Sequence, residues 1–156
     1  MRRFEKLNPE APAVFHFPQR RVIIRRKGAS LQSMAAVFPG YIFVEAEEDD
    51  LPALQWILRR SAGFMRFLGS GSGARALSGR DLELVLHFVK KVGPVAEVSR
   101  VSFDENMRIL VADGPLKGLE GRIIKVDKRK KRAKIRLDLY DDSFAIDLAF
   151  EIIDAL

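Results

Sequence analysis

The basic residues of this chain are grouped in a way that could hold phosphate. Five cations fall within the eight positions 20–27, and residues 128–132 form a second run of five. Lysine and arginine in such groups contact the phosphate backbone of nucleic acid, and these contacts make binding depend on salt. The candidate nucleic-acid-binding residues are Arg20, Arg21, Arg25, Arg26, Lys27, Lys128, Arg129, Lys130, Lys131 and Arg132.

Both basic groups also have an interpretation that needs no ligand. Charged side chains at a strand edge discourage pairing with another chain, which would explain residues 20–27. A hairpin tip needs only polar residues, which would explain residues 128–132. No aromatic residue interrupts that second run, so the pattern does not support base stacking there. For each group, both interpretations stay open.

Few residues could do covalent or metal chemistry. The chain has no cysteine, two histidines, and neither a P-loop nor a GxSxG motif. His16 lies between two phenylalanines and is interpreted as structural. His87 shares its predicted helix face with Glu83 and Lys90 and is expected to be solvated. The sequence therefore predicts a protein that is not an enzyme and that uses no metal and no cofactor.

The composition is that of a folded protein with a basic first part. Of the 156 residues 47% are hydrophobic, which is enough to bury a core, and the net charge is +6. Residues 1–103 hold 16 basic and 10 acidic residues, whereas residues 104–156 hold 11 of each. Because no apolar run could cross a membrane and no signal peptide is visible, we expect a cytoplasmic protein. We also expect it to be a monomer.

The pattern before residue 93 mixes strands with helices. Residues 20–27, 41–46 and 64–68 predict strands. A first helix is expected to begin at Asp49-Asp50 and to end near Gly63, with an apolar face of Leu51, Leu54, Ile57 and Leu58. A second follows Ser78, with an apolar stripe of Leu82, Val85, Leu86 and Val89. This order predicts an α+β fold, a small antiparallel sheet with helices.

The pattern after residue 103 consists of strands and turns. Short strands are predicted at residues 108–112, 122–126, 133–139, 144–148 and 152–153. Five short strands with glycine at the corners predict a small five-stranded β-barrel. We therefore expect one domain over residues 1–92, a linker over 93–103 that begins at Gly93-Pro94, and a barrel domain over 104–156. A flexible loop is expected at the glycine-serine stretch 69–73.

Two aromatic residues mark the strand predicted at 41–46. In an extended strand Tyr41 and Phe43 share one face, and Ile42 and Val44 share the other. The aliphatic face is expected to face the core, which leaves the aromatic face either for a partner or for packing beneath a helix of its own domain.

Several segments carry a family resemblance. Residues 109–127 (ILVADGPLKGLEGRIIKVD) resemble a KOW motif, and residues 139–150 (LYDDSFAIDLAF) are similar to the last strands of the same barrel. Residues 38–45 (FPGYIFVE) and 63–69 (GFMRFLG) resemble the N-terminal domain of NusG-type transcription elongation factors. The order of the two domains is also that of this family.

The resemblance implies a transcription elongation, termination or antitermination factor. It implies that Phe38, Tyr41 and Phe43 bind RNA polymerase, with nucleic acid near the transcription bubble on the basic residues. It also implies that Leu139 and Tyr140 of the KOW domain recruit a ribosomal protein, the termination factor Rho or RNA. The alternative is a KOW-type RNA-binding protein that acts on the ribosome or a structured leader RNA independently of polymerase.

The sequence departs from the family pattern at two places. Asp141-Asp142 stand where a glycine and an arginine are common, and this reversed charge points toward a specialised paralogue with a different partner. The first strand of the N-terminal domain is missing, since residues 1–8 could supply only the end of the helix that follows it. We expect either a start further upstream or a shortened variant.

Overall fold

The computed structural model describes residues 12–68 and 74–154, apart from the side chain of Arg25. The predicted loop at 69–73 and the helix end predicted at residues 1–8 lie outside the described residues. The strands are β1 Val14–His16, β2 Gln19–Arg26, β3 Ala29–Ala36, β4 Phe43–Glu45, β5 Val95–Ala96, β6 Ser99–Phe103, β7 Ile109–Asp113, β8 Ile123–Asp127, β9 Arg132–Leu139 and β10 Asp142–Ile152.

Two α-helices lie in the described parts of the stretch between β4 and β5. Helix α1 spans Leu51–Arg59 and follows a 3-10 turn at Glu48–Asp50. Helix α2 spans Gly79–Leu86 and continues into a π-helical turn at His87–Val92. Another 3-10 turn, Glu120–Arg122, precedes β8.

The strands of the described residues form three sheets. Strands β1 and β4 pair antiparallel, and β3, β2 and β5 form a second sheet in that order, with β5 parallel to β2. The third sheet has the order β7-β6-β10-β9-β8, in which β6 and β10 are parallel. This curled sheet, residues 99–154, is called the barrel below, and residues 12–98 are called the N-terminal half. The α+β class and the five-stranded barrel predicted from the sequence are confirmed.

The alternation along β9 makes the barrel core. Ala133, Ile135, Leu137 and Leu139 are fully buried, while Arg136 and Asp138 are exposed. The predicted strands at 144–148 and 152–153 are one strand, β10, and the fifth strand of the sheet is β6. Thus part of the segment predicted as a linker is hydrogen-bonded between β7 and β10. The division of the chain into two domains stays a prediction.

The turn at Gly114 explains a feature of the KOW-like segment. Gly114 has a φ of 90°, and a Cβ atom added there would lie 2.5 Å from the Cα atom of Ser99 in β6. Ser99 is fully buried, and its Oγ accepts a hydrogen bond of 3.0 Å from the N–H of Leu116. Only glycine satisfies both the backbone angle and this close approach.

Three described strands of the N-terminal half, β1, β3 and the two-residue β5, were missed by sequence patterns. The Lys27-Gly28 turn has positive φ at both residues and joins β2 to β3, as two-residue hairpin turns require. Strand β3 (ASLQSMAA) carries small and polar residues, so its pattern is weak. Strand β1 has three residues and depends on its pairing with β4.

The strand predicted at residues 64–68 is wrong. This segment has no regular secondary structure, and Met65 is 91% exposed. The rings of Phe64 and Phe67 contact each other with centroids 4.9 Å apart, which a strand with alternating side chains would not allow.

Helix α1 is confirmed, with Leu54 and Leu58 buried, but the buried face of α2 differs from the prediction. Leu84, Val85 and Phe88 are buried, whereas Leu82 and Leu86 of the predicted stripe are exposed. The reason is tertiary: Phe88 packs edge-on against Phe38, with ring centroids 5.5 Å apart.

Candidate interaction site

Residues Phe38, Tyr41, Phe43, Phe88 and Phe144 form one group of rings, called the aromatic cluster. The turn at Phe38-Pro39-Gly40 closes with a hydrogen bond of 3.1 Å from the N–H of Tyr41 to the carbonyl of Phe38. Strand β4 then places Phe43 with its ring 5.1 Å from Phe38. Phe38 is 1% exposed and lies at the centre of the cluster.

The barrel supplies the fifth ring of the aromatic cluster. Phe144 of β10 contacts Phe38 edge-on at 6.2 Å and stacks on Tyr41 at 6.5 Å. The Tyr41 hydroxyl donates a hydrogen bond of 2.5 Å to Oδ2 of Asp142. This bond, burial and the negative charge of Asp142 together raise the pKa of Tyr41 to about 12. The aromatic face of β4 is therefore covered by the barrel of the same chain.

The expected orientation of β4 is reversed. Ile42 is 52% exposed and Val44 is 38% exposed, whereas Phe43 packs against the core. The aliphatic face was expected inside because aliphatic side chains usually are, but here the rings of Phe38 and Phe144 offer the better apolar surface. Glu45, beyond the aromatic residues, accepts hydrogen bonds of 2.9 Å from Lys90 and His16, which lower the pKa of Glu45.

The tip of the β9–β10 hairpin also contacts the N-terminal half. The N–H of Tyr140 donates a hydrogen bond of 3.2 Å to Asp81, and the guanidinium of Arg75 lies 5.7 Å from the centre of the Tyr140 ring. Tyr140 has a φ of 54°, which is uncommon for a bulky residue. Leu139, expected to face a partner beside Tyr140, is instead fully buried in the barrel.

His87 differs from its predicted environment. It is half-buried, and its Nε2–H donates a hydrogen bond of 2.9 Å to the carbonyl of Pro115. This contact ties the π-helical turn to the barrel, whereas the sequence predicted a solvated histidine.

The first basic group is divided between the two sides of β2. Arg20 is half-buried and donates from Nη1 to the carbonyl of Asp147 at 3.0 Å, while Arg21 pairs with Glu97 at 2.5 Å. Burial lowers the pKa of Arg20; the charge of Arg132 adds to this effect and that of Asp147 opposes it. Arg26 and Lys27 are exposed at the turn, and the Arg25 side chain lies outside the described atoms.

The second basic group lies at the turn between β8 and β9. The ammonium of Lys128 lies 3.7 Å from the centre of the Phe103 ring, and Lys130 is held by Asp127, whose Oδ1 accepts from its N–H at 2.9 Å. Arg129 and Lys131 are exposed. Arg132 differs from these, since its Nη2 donates to the carbonyl of Ile23 in β2 at 3.1 Å.

Arg132 also belongs to a cleft of about 190 Å³, called the basic cleft. Its lining residues are Lys125, Asp127, Lys130, Arg132, Lys134 and Asp147. The structure therefore brings Arg20 and Arg132, which lie in separate sequence groups, to the same place. Sequence patterns missed Lys125 and Lys134, although both lie on polar faces of predicted strands.

In residues 12–68 and 74–154, no three histidine, aspartate or glutamate side chains are arranged to hold a metal ion. Over the same ranges, neither helix has the length and apolar character needed to cross a membrane.

The comparisons with known proteins agree on one family. No protein-family model matches the chain. It is 29% identical over 123 residues to the transcription termination/antitermination protein NusG of Bacillus subtilis, covering 77% of this chain and 67% of that protein. It is 26% identical over 139 residues to NusG of Escherichia coli K12 and 24% identical over 138 residues to NusG of Buchnera aphidicola. Each of these two matches covers 88% of this chain and 75% of the relative. These relatives, at 24–29% identity over most of the chain, together with the α+β and barrel fold, support a protein similar to the NusG family, though distant from it.

Proposed function

We propose that this chain is a transcription elongation, termination or antitermination factor that works by binding rather than by chemistry. Its N-terminal half binds RNA polymerase through Phe38, Tyr41 and Phe43, and its barrel recruits a second partner. The NusG relatives support the general assignment. The aromatic cluster is the observation that supports the more specific proposal, polymerase binding through Phe38, Tyr41 and Phe43.

The aromatic cluster is suited to a protein interface because one of its rings, Phe144, belongs to the barrel and covers rings of the N-terminal half. Phe144 touches Tyr41 and Phe38 from outside the N-terminal half, so its departure would uncover neighbouring rings on one surface. Buried aromatic anchors dominate the binding energy of protein interfaces. Polymerase and the barrel then compete for the same rings, and the barrel must leave before polymerase binds.

Recruitment of a second partner follows the same logic. Tyr140 is engaged by Asp81 and Arg75 while the barrel is docked, and it becomes available when the hairpin leaves. Leu139 contributes to the barrel core rather than to this surface. The candidate partners are a ribosomal protein, Rho or RNA. A tethered barrel raises the local concentration of whichever partner it holds.

A pull-down of RNA polymerase by the full chain tests this function, with RNA added as a competitor. The double variant Tyr41→Ala/Phe43→Ala is expected to lose capture of polymerase. Its matched control is Ile42→Ala/Val44→Ala, on the exposed face of the same strand. The variant Phe144→Ala is expected to capture more polymerase than the unmodified chain, because it weakens the cover over Tyr41.

The competing RNA-binding function gives a different pattern. If the chain acts on RNA independently of polymerase, Tyr41→Ala/Phe43→Ala leaves its activity unchanged, and RNA removes any polymerase from the pull-down. Equal losses in the aromatic variant and in the Ile42→Ala/Val44→Ala control would contradict the proposed interface.

A further inference from the structure

The basic cleft lies where the barrel meets β2, and it joins the two halves of the chain. Asp147 of β10 lines the cleft and pairs with Lys134 at 3.4 Å, while its backbone carbonyl accepts the Arg20 hydrogen bond at 3.0 Å. Arg132 lines the cleft and donates to the carbonyl of Ile23 in β2. Each half therefore sends an arginine across the boundary to a backbone oxygen of the other.

The charges in this region are not balanced. The cleft is lined by four basic residues and two aspartates, and Arg20 adds a fifth positive charge at its edge. Among the described residues, neither Lys125 nor Arg132 has a carboxylate within ion-pair distance. The Nε atom of Arg20 is buried and has no hydrogen-bond acceptor among the described atoms. Like charges held together repel, and an anion placed among them lowers that cost.

The lining residues favour one kind of anion. All six are charged, and none is aromatic or aliphatic. Interfaces with protein segments draw most of their binding energy from aromatic and apolar anchors, which this lining does not offer. Base stacking would likewise need rings. Lysine and arginine are the side chains that neutralise the phosphate backbone of nucleic acid, so a lining of this kind favours that anion.

We propose that Arg20 of β2 and the basic cleft of the barrel form one site for the phosphate backbone of a nucleic-acid strand, complete only while the barrel is docked. A nucleic-acid strand bound across both halves favours the arrangement in which the barrel is docked on the N-terminal half. The reason is that a ligand stabilises the state that binds it better. Nucleic acid at this site would therefore keep Phe144 over Tyr41. This regulation rests on the proposed polymerase function, whereas the binding itself does not.

Binding of nucleic acid to this site is tested with the full chain in the absence of polymerase. The probes are fluorescein-labelled oligo-uridine, oligo-thymidine and a DNA duplex, followed by fluorescence anisotropy between low and moderate salt. The variant Lys125→Ala/Lys134→Ala is expected to bind about tenfold more weakly, with a salt slope smaller by about 1 to 1.5 for single strands. The control Arg80→Ala/Lys91→Ala removes two exposed charges outside the cleft. Equal weakening in the two variants would overturn the site.

The requirement for both halves at this site is tested by amide hydrogen exchange at Tyr140. The N–H of Tyr140 is hydrogen-bonded to Asp81 only while the barrel is docked. The oligonucleotide that binds best is expected to slow this exchange in the unmodified chain and not in Lys125→Ala/Lys134→Ala. Arg20→Lys is expected to retain more affinity than Arg20→Ala. Binding with unchanged Tyr140 exchange would mean that the strand uses one half alone, and it would overturn the proposal. A failed polymerase pull-down leaves both results intact, so the two proposals fail separately.

Discussion

Tyr41 and Asp142 are 101 residues apart in the chain, and the Tyr41 hydroxyl donates a hydrogen bond of 2.5 Å to the Asp142 carboxylate. Asp142 is one of the two aspartates at which the sequence departs from the pattern of the family it resembles. In this fold it accepts a bond from a residue of the proposed polymerase surface. The unusual charge thus has a partner within the chain, next to the stacking of Tyr41 on Phe144.

The Tyr41–Asp142 bond predicts a pH dependence. The pKa of Tyr41 is raised from 10 to about 12, so the neutral phenol is favoured in the docked arrangement. Its contribution to docking is fully present below pH 10 and is lost as pH rises through about 12. In a Tyr140→Phe background Tyr41 is the remaining tyrosine. Its tyrosinate absorbance is expected to appear at lower pH in Asp142→Asn than with Asp142 intact. The control Asp141→Asn should not move it.

Phe38 is expected to be the most sensitive residue of the aromatic cluster. Phe38→Ala removes ring contacts with Phe43, Phe88 and Phe144 and leaves a cavity, which costs about 3–5 kcal/mol. The matched control Ile42→Ala, in the same segment but 52% exposed, should cost well under half of that. Urea denaturation followed by circular dichroism measures both. Similar losses in the two variants would contradict the observed orientation of β4.

Gly114 is expected to tolerate no side chain. Gly114→Ala forces a residue with a Cβ atom into a positive φ and against the Ser99 backbone, so we expect a loss of about 2–4 kcal/mol. Gly121→Ala is the control, since a Cβ atom there would meet nothing within 4 Å. Chemical denaturation of both variants compares the two free energies of unfolding. A neutral Gly114→Ala would mean that β6 and the turn do not approach as closely as they do here.

The position of β6 in the sheet implies that a stable barrel fragment must begin before residue 99. A fragment of residues 104–156 lacks β6, which lies between β7 and β10, and it is expected to unfold without cooperativity. A fragment of residues 97–156 keeps the Ser99 contact to Leu116 and is expected to unfold in one cooperative transition. Thermal melts followed by circular dichroism distinguish them. If both fragments melt alike, β6 is dispensable and the predicted boundary at 104 is adequate.

Much of the secondary structure could be predicted from the sequence, because side-chain periodicity within a single strand or helix determines which face is buried. The alternation of Ala133, Ile135, Leu137 and Leu139 set the buried face of β9, and the apolar repeat of α1 correctly indicated Leu54 and Leu58. A glycine at a barrel corner was likewise predictable from local sequence, and the positive φ of Gly114 is such a local requirement, whereas its close approach to Ser99 is not. The motif segments were sufficient to indicate the family.

The sequence by itself determined the α+β class, the barrel and the types of residue that could bind a partner. Only the tertiary structure decided that Phe144 covers Tyr41, and that Arg20 donates to Asp147, which lines the same cleft as Arg132. These outcomes depend on contacts between residues about a hundred positions apart, such as the bond from Arg132 to Ile23. Neither hydrophobic periodicity nor turn residues predict such long-range contacts. They depend on which apolar and charged surfaces fit together after the strands and helices have formed.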